Sequence, residues 1–148
     1  MRGRCCVTDW GEDEPELDAA FAPDPDDETS AEPEPRKTYY ANLDEFVRLY
    51  LREAYARPIN GRTRVWAAEW WKYPEAVIRL DALWRAWEHL RLEPRTGMSV
   101  WFRDHADHHM QVLMDPDGPF SAADPTSATN LATRGQRLPY DPPPTKLY

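Results

Sequence analysis

Between Pro74 and Pro94 the chain repeats apolar side chains at the 3.6-residue period of an α-helix, and this segment constrains the fold more than any other. Proline suits the first turn of a helix and not its interior, so the two prolines bound the element, and Glu75 complements the helix dipole. An apolar stripe of this kind must be buried against other elements, which predicts a helical domain. The stripe comprises Ala76, Val77, Leu80, Leu83, Trp84, Trp87 and Leu90.

The opposite side of this helix carries little charge. At about 100° per residue, Ile78, Ala82, Ala86 and His89 gather where an isolated surface helix would carry charged side chains. We therefore expect the helix to be contacted on two sides, by the rest of the domain and by a protein partner or a second subunit. Ile78, Ala82 and His89 are candidate binding residues.

A first helix is predicted at Leu43–Tyr55. Asn42 can cap it, and Glu45 stands three residues later, as in a capping box. Its predicted buried face consists of Leu43, Phe46, Val47, Tyr50 and Ala54.

A third helix is predicted from Met98 or Ser99 to Met114, followed by a turn at residues 115–118. Its predicted face consists of Met98, Trp101, Phe102, Val112 and Leu113. The fold class is mainly α: a small three-helix domain at residues 36–120 with an aromatic-rich connecting loop.

Both ends of the chain have the composition of tails. Residues 1–35 carry twelve acids and two arginines, a net charge of −10, whereas the whole chain carries −8, so the remaining residues are +2. We expect a disordered acidic arm at 1–35, which would repel the phosphates of nucleic acid. Residues 121–148 are polar and rich in proline, and we expect a second disordered tail there.

The compartment is predicted from two absences in the sequence. The start of the chain has no apolar stretch of signal-peptide length, and no run of about 20 apolar residues occurs. Cys5 and Cys6 are adjacent and set no disulfide framework. These observations favour a cytoplasmic protein with no membrane partner.

One constellation suggests metal chemistry. His105 and His109 lie one helical turn apart on the predicted apolar face of the third helix, and two imidazoles at that spacing can share one zinc ion or another divalent metal. Zinc needs further ligands, for which Asp104 and His89 are candidates by residue type. The segment is not His-Glu-x-x-His, because position 106 is alanine. The alternative interpretation is that both histidines fill a tryptophan-rich core without a cofactor.

A second candidate site is the aromatic loop. Trp66, Trp70 and Trp71 lie within six residues and could stack on bases, sugars or arginine side chains. They could equally close a small core over a loop. Arg62 and Arg64 belong to a locally basic stretch that is either a solvated face or a strip that binds phosphate or acidic groups.

Four segments resemble a known family: Glu69-Trp70-Trp71, Trp84–Leu90, Gly97–Asp107 and Asp115–Phe120. They resemble an actinobacterial family called domain of unknown function 4913, which also occurs in actinobacterial phages and mobile elements. The resemblance covers about residues 39–120. It implies a host class, and it carries no activity or catalytic residue.

No catalytic set is complete in the sequence, because neither cysteine lies in the domain and no serine stands in a Gly-x-Ser-x-Gly setting. The leading hypothesis is a non-catalytic helical interaction module that binds a protein partner or a second copy. The alternative is a metal-dependent hydrolase or nuclease that uses the histidine and aspartate cluster. A third hypothesis is nucleic-acid binding by the arginine and tryptophan loop, regulated by the acidic arm.

Overall fold

The computed structural model describes residues 37–145, and three helices make up most of the regular secondary structure in this range. Helix α1 covers residues 43–54, helix α2 is Pro74–Leu90, and helix α3 covers residues 97–113. Short 3₁₀ turns lie at Trp70–Lys72 and Ala128–Asn130. No β-strand forms within this range, so the mainly α fold class is confirmed. No helix in the same range is long and apolar enough to cross a membrane.

Helix α1 begins at the predicted cap. Asn42 accepts a hydrogen bond from the Glu45 N–H at 2.9 Å, and the Glu45 carboxylate accepts one from the Ala41 N–H at 2.9 Å. The first bond satisfies a backbone donor that the first turn of a helix leaves without a partner, and the second fixes the residue that precedes the cap. The capping prediction is therefore confirmed.

The middle of α1 is a π-helix. It comprises Leu43–Phe46 in α geometry, Val47–Leu51 in π geometry and Arg52–Ala54 in α geometry, and the Arg52 N–H bonds to the carbonyl of Val47, five residues back. The wider turn shifts the buried face by one residue. The predicted positions Tyr50 and Ala54 are only partly buried, whereas Leu51 and Tyr55 lie in the core.

Helix α2 matches its predicted pattern. Pro74 occupies its first turn, and the helix ends at Leu90, before Pro94. The side that faces the domain buries Ala76, Leu80, Leu83 and Trp87, while Val77, Trp84 and Leu90 are partly buried against the same core.

Helix α3 also contains a π segment. It comprises Gly97–Val100 (α), Trp101–Ala106 (π) and Asp107–Leu113 (α), and the Asp107 N–H bonds to the Phe102 carbonyl five residues back. The residues that enter the core are Trp101, Ala106, Met110 and Leu113. Placing His105 and His109 inside the apolar face was wrong, because the wide turn moves both to the half-buried edge.

Aromatic rings join the three helices in one core. The ring centroids of Trp87 on α2 and Tyr50 on α1 are 5.0 Å apart. Tyr50 also meets Trp101 of α3 edge to face at 5.7 Å, and Phe46 meets the same ring at 6.3 Å. These are the separations at which aromatic pairs attract each other, and they fix the relative position of the three helices.

The segment after Phe120 contradicts the predicted boundary at residue 120. Residues 121–141, which we call the strap, run back over the domain. Ile59 and Ala132 exchange two backbone hydrogen bonds of 2.9 and 3.1 Å, and Leu138 is fully buried. The composition of the segment predicted disorder because it has few apolar side chains. A proline-rich segment can nevertheless be ordered when its few apolar side chains are buried in the core of the domain. The predicted acidic arm at 1–35 and residues 146–148 lie outside the described residues.

The strap is held mainly through its backbone. Arg52 donates to the Leu138 carbonyl at 2.8 Å, and the Trp66 indole donates to the Pro139 carbonyl at 2.9 Å. The Tyr140 hydroxyl donates to the Asp44 carboxylate at 2.6 Å.

Candidate functional site

One candidate surface is the outward side of α2, which we call the α2 face: Ile78, Ala82, Arg85 and His89. All four side chains are exposed, and Ile78 is 70% exposed. Because they are spaced at intervals of three or four residues, they lie on one side of a 17-residue helix. The structure therefore brings three of the predicted binding residues, Ile78, Ala82 and His89, onto one surface.

The charges beside the α2 face pair along the helix. Arg79 bonds Glu75 at 2.8 Å, and Arg85 bonds Asp81 at 2.6 Å, each four residues apart. Such pairs neutralise each other locally and contribute little to stability. They leave the α2 face mild in charge, with one large apolar side chain near its amino-terminal end.

The aromatic loop offers little to a ligand. Trp66 and Trp70 are buried in the core, so the prediction that their rings stack on a ligand is corrected: both close the core under the loop. Trp71 is half-buried, with the Lys72 ammonium 5.2 Å from its ring centroid.

A cleft of about 340 Å³ opens between the end of α1, residues 57–64 and the carboxyl-terminal half of α3. Its polar lining includes Tyr55, Arg57, Arg64, Asp107 and Gln111, and methionines line its apolar part. Concave sites with a few convergent polar groups are the usual location of ligand binding. We call it the Arg57–Arg64 cleft.

The loop that carries Arg64 is fixed by its own hydrogen bonds. The Asn60 side-chain oxygen accepts from the backbone N–H groups of Arg62, Thr63 and Arg64 at 3.0, 2.9 and 3.3 Å. Gly61 has φ = 69°, and a Cβ there would lie 2.3 Å from a backbone oxygen of the strap, so this turn requires glycine. The Asn60-Gly61 turn thus holds one wall of the cleft.

The opposite wall contains a buried tyrosine and a carboxylate. The Tyr55 hydroxyl donates to Asp107 at 2.6 Å. Burial, the hydrogen bond to Asp107 and the negative charge of that carboxylate raise the pKa of Tyr55 far above its ordinary value. Tyr55 therefore stays protonated at neutral pH and cannot serve as a general base.

The arginines of the basic stretch differ in their partners. Arg48 pairs with Asp44 at 3.7 Å, and Arg52 bonds the strap. Arg57 and Arg64 make no ion pair among residues 37–145, and both line the cleft. Arg62 is exposed and lies outside the cleft lining.

The structure does not assemble the predicted metal site. Arg79 donates to the Nδ1 atom of His109 at 3.3 Å, and Asp104 is engaged by Arg103 at 2.6 and 2.8 Å. Across the described residues, no three histidine, cysteine or acidic side chains are grouped so that they could hold a metal ion. Burial of the ring, with Arg79 and two other histidines nearby, lowers the pKa of His109.

Sequence reasoning missed Tyr55, Asp107 and Gln111 as cleft residues. Tyr55 follows the π segment of α1, so a regular helical wheel does not place it in the core, where it lies. Asp107 is exposed on α3, and its contact with Tyr55 depends on how α1 packs against α3. The one usable signal was the Asn60-Gly61 turn within a run of arginines, which marks a fixed basic loop.

Comparison with known proteins gives one match. The family model described as Domain of unknown function (DUF4913) matches residues 40–144, which include all three helices and the strap. No curated protein and no solved structure matches the chain. The match covers well over half of the 148 residues, and the chain belongs to the DUF4913 family.

Proposed function

We propose that the domain is a non-catalytic interaction module that binds a protein partner through the α2 face. The observation that carries this proposal is Ile78, a large apolar side chain that is 70% exposed on a long, well-packed helix. Its neighbour one turn later, Ala82, lets a partner approach the helix closely. Apolar side chains at the centre of an interface supply most of its binding energy.

The opposite side of α2 supports the proposal. Leu80, Leu83 and Trp87 are buried in the core, so the α2 face is presented by a helix whose position is fixed before binding. A fixed surface loses less conformational entropy on association than a mobile one. Trp66 and Trp70, which belong to the other candidate binding surface predicted from the sequence, are buried, and this supports the choice of the α2 face.

We further propose that the module acts in the cytoplasm of an actinobacterium, or of a host that carries one of its phages or mobile elements. This proposal rests on the resemblance of four sequence segments to the actinobacterial family: Glu69-Trp70-Trp71, Trp84–Leu90, Gly97–Asp107 and Asp115–Phe120. The partner would then be a protein of the same host or element.

The proposal is tested by site-specific photo-cross-linking in the host, with a photoreactive residue at Ala82 and, as control, at Leu49 on α1. The expected result is one protein that cross-links at position 82 and not at position 49. Binding to the purified protein should weaken about tenfold or more in Ile78→Glu, the loss of one central contact. Leu49→Glu is the matched control, because Leu49 is also largely exposed, at 51%.

The proposal is wrong if nothing cross-links at position 82, or if the captured protein binds Ile78→Glu as tightly as the wild type. Sedimentation of the purified protein distinguishes binding of a different protein from binding of a second copy of this chain. We expect a monomer, whereas a dimer that Ile78→Glu dissociates would assign the α2 face to a second copy of this chain.

A further inference from the structure

We propose that the Arg57–Arg64 cleft binds a ligand that carries a carboxylate group beside an apolar group. The cleft lies at the end of α1 and along the second half of α3, so it does not include the α2 face. Its volume, about 340 Å³, is at the small end of the range for ligand pockets, which suits a small acid or the end of a peptide.

The anion would bind the two arginines. The Arg57 guanidinium lies 5.6 Å from the centroid of the Tyr55 ring, and its hydrogen bond is a long one, 3.5 Å, to the adjacent Ala56 carbonyl. Neither Arg57 nor Arg64 makes an ion pair within residues 37–145, so both keep donors for a ligand. Guanidinium groups bind carboxylates through paired, charge-assisted hydrogen bonds.

The acids of the cleft restrict the charge of the ligand. Asp107 accepts the Tyr55 hydroxyl at 2.6 Å, and Asp115 accepts the backbone N–H of Asp117 at 2.8 Å, so each already has a donor. Their charges still repel a second or third anionic group. A single carboxylate is therefore favoured over a phosphate dianion or a nucleic-acid backbone.

The apolar part of the ligand would meet Met110, Met114 and Pro116, which also line the cleft. Met110 and Met114 are 2% and 7% exposed, so only a small part of each side chain borders the cleft. Methionine side chains adapt to apolar groups of different shapes. This wall gives preference to an acid with a hydrocarbon substituent over acetate or chloride.

The backbone of the cleft is fixed by hydrogen bonds within the domain. Asn60 holds the backbone at Arg64, and the Val65 N–H bonds the Met114 carbonyl at 3.0 Å, which ties the arginine loop to the end of α3. Because the backbone is already held in place, binding costs little conformational entropy, and even a small ligand can bind with measurable affinity.

The test is an NMR titration of the full chain, labelled with ¹⁵N, with N-acetyl-leucine and its neutral amide. The acid should shift the amide resonances of Thr63 and Arg64 and the side-chain amide of Gln111, with saturation below about 20 mM. The neutral amide should not. A peptide ending in leucine with a free carboxylate, compared with its amidated form, shows whether the source is a free acid or a chain end.

Variants assign the binding to the cleft. Arg64→Gln should weaken N-acetyl-leucine about tenfold or more, because it removes a charged donor. Arg62→Gln is the matched control: it removes the same charge from an exposed side chain outside the cleft and should leave the affinity unchanged. Equal melting temperatures for the two variants exclude unfolding as the cause.

The titrations would overturn the proposal in any of three ways: no shift with either acid, equal binding of the acid and its neutral amide, or tighter binding of inorganic phosphate than of N-acetyl-leucine. Equal weakening by Arg62→Gln and Arg64→Gln would also overturn it, since it would show general charge attraction. None of these results bears on Ile78, so failure here and failure of the α2 face are separate.

Discussion

Trp101 of α3 donates its indole N–H to the backbone carbonyl of Leu83 on α2 at a distance of 3.0 Å, with both side chains fully buried. The same ring lies 5.7 Å from Tyr50 of α1. One side chain thus links all three helices, and it does so by a hydrogen bond as well as by packing. The stability of the domain should depend on it strongly.

We predict that Trp101→Phe lowers the free energy of unfolding by about 2 kcal/mol, from the space left by the smaller ring and the lost indole hydrogen bond. Urea denaturation followed by circular dichroism measures the change. Trp71→Phe, at a half-buried position, is the control and should cost less. Equal stability of Trp101→Phe and the wild type would contradict the central position of this ring.

The regular helix α2 shows what the sequence could predict. Its buried residues recur at the α-helical period without interruption, so a simple wheel identified Leu80, Leu83 and Trp87 correctly. The Asn42 cap was also predictable, because capping is a local interaction between residues close in sequence.

The π segments show what the sequence could not predict. In α1 the buried residues after Val47 are Leu51 and Tyr55. In α3 the next buried residue after Trp101 is Ala106, five positions later. Backbone hydrogen bonds to the fifth preceding residue, in place of the fourth, widen the helical turn. Every later side chain is therefore rotated about the helix axis relative to its position in a regular α-helix. The cleft residue Tyr55 was missed for this reason, because no local residue preference indicates the wider turn. Asp107 is exposed, as a regular wheel predicts, and was missed because its contact with Tyr55 depends on how α1 packs against α3.

The strap yields a second stability prediction. Leu138→Ala should cost about 2–4 kcal/mol, because Leu138 is fully buried and its removal leaves a cavity under the strap. Leu131→Ala is the matched control: Leu131 belongs to the same strap but is 39% exposed, so its cost should be well under half as large. Thermal denaturation of both variants provides the comparison. Equal small effects would mean that the strap is dispensable.

Glu88 leads to a prediction about acid stability. Burial raises the pKa of Glu88, but hydrogen bonds from the Tyr39 and Tyr40 N–H groups, Arg91 and Trp84 outweigh it, so the net pKa is lowered. A carboxylate of this kind stabilises the fold above its unfolded pKa of about 4.5, and the contribution is lost as the pH falls through the lower folded value.

We therefore expect Glu88→Gln to lower the free energy of unfolding by about 1–2 kcal/mol at pH 7, and we expect the difference between the two proteins to shrink as the pH falls from 7 toward 3. Melting temperatures of the variant and the wild type across this range test the expectation. A gap between the two proteins that stays constant down to pH 3 would show that the charge of Glu88 is unimportant.

Added zinc should leave the melting temperature unchanged. Among residues 37–145, His105 and His109 have no third ligand grouped with them, and the positive charge of Arg79 beside His109 repels a cation. The measurement compares protein without a His tag, with one equivalent of zinc and with a chelator. A rise of several degrees with zinc that His105→Ala abolishes would restore the metal-dependent alternative.

His109 should titrate below the ordinary histidine value of 6.5, chiefly because its ring is buried and also because Arg79 and two histidines lie nearby. With a lowered folded pKa, the unfolded chain binds more protons between the two values, so stability is lost as the pH falls from about 6.5. NMR titration of the ring protons measures the pKa directly. Arg79→Gln should raise it partway toward 6.5, because burial remains, and a pKa that does not move would show that Arg79 has no influence on this ring.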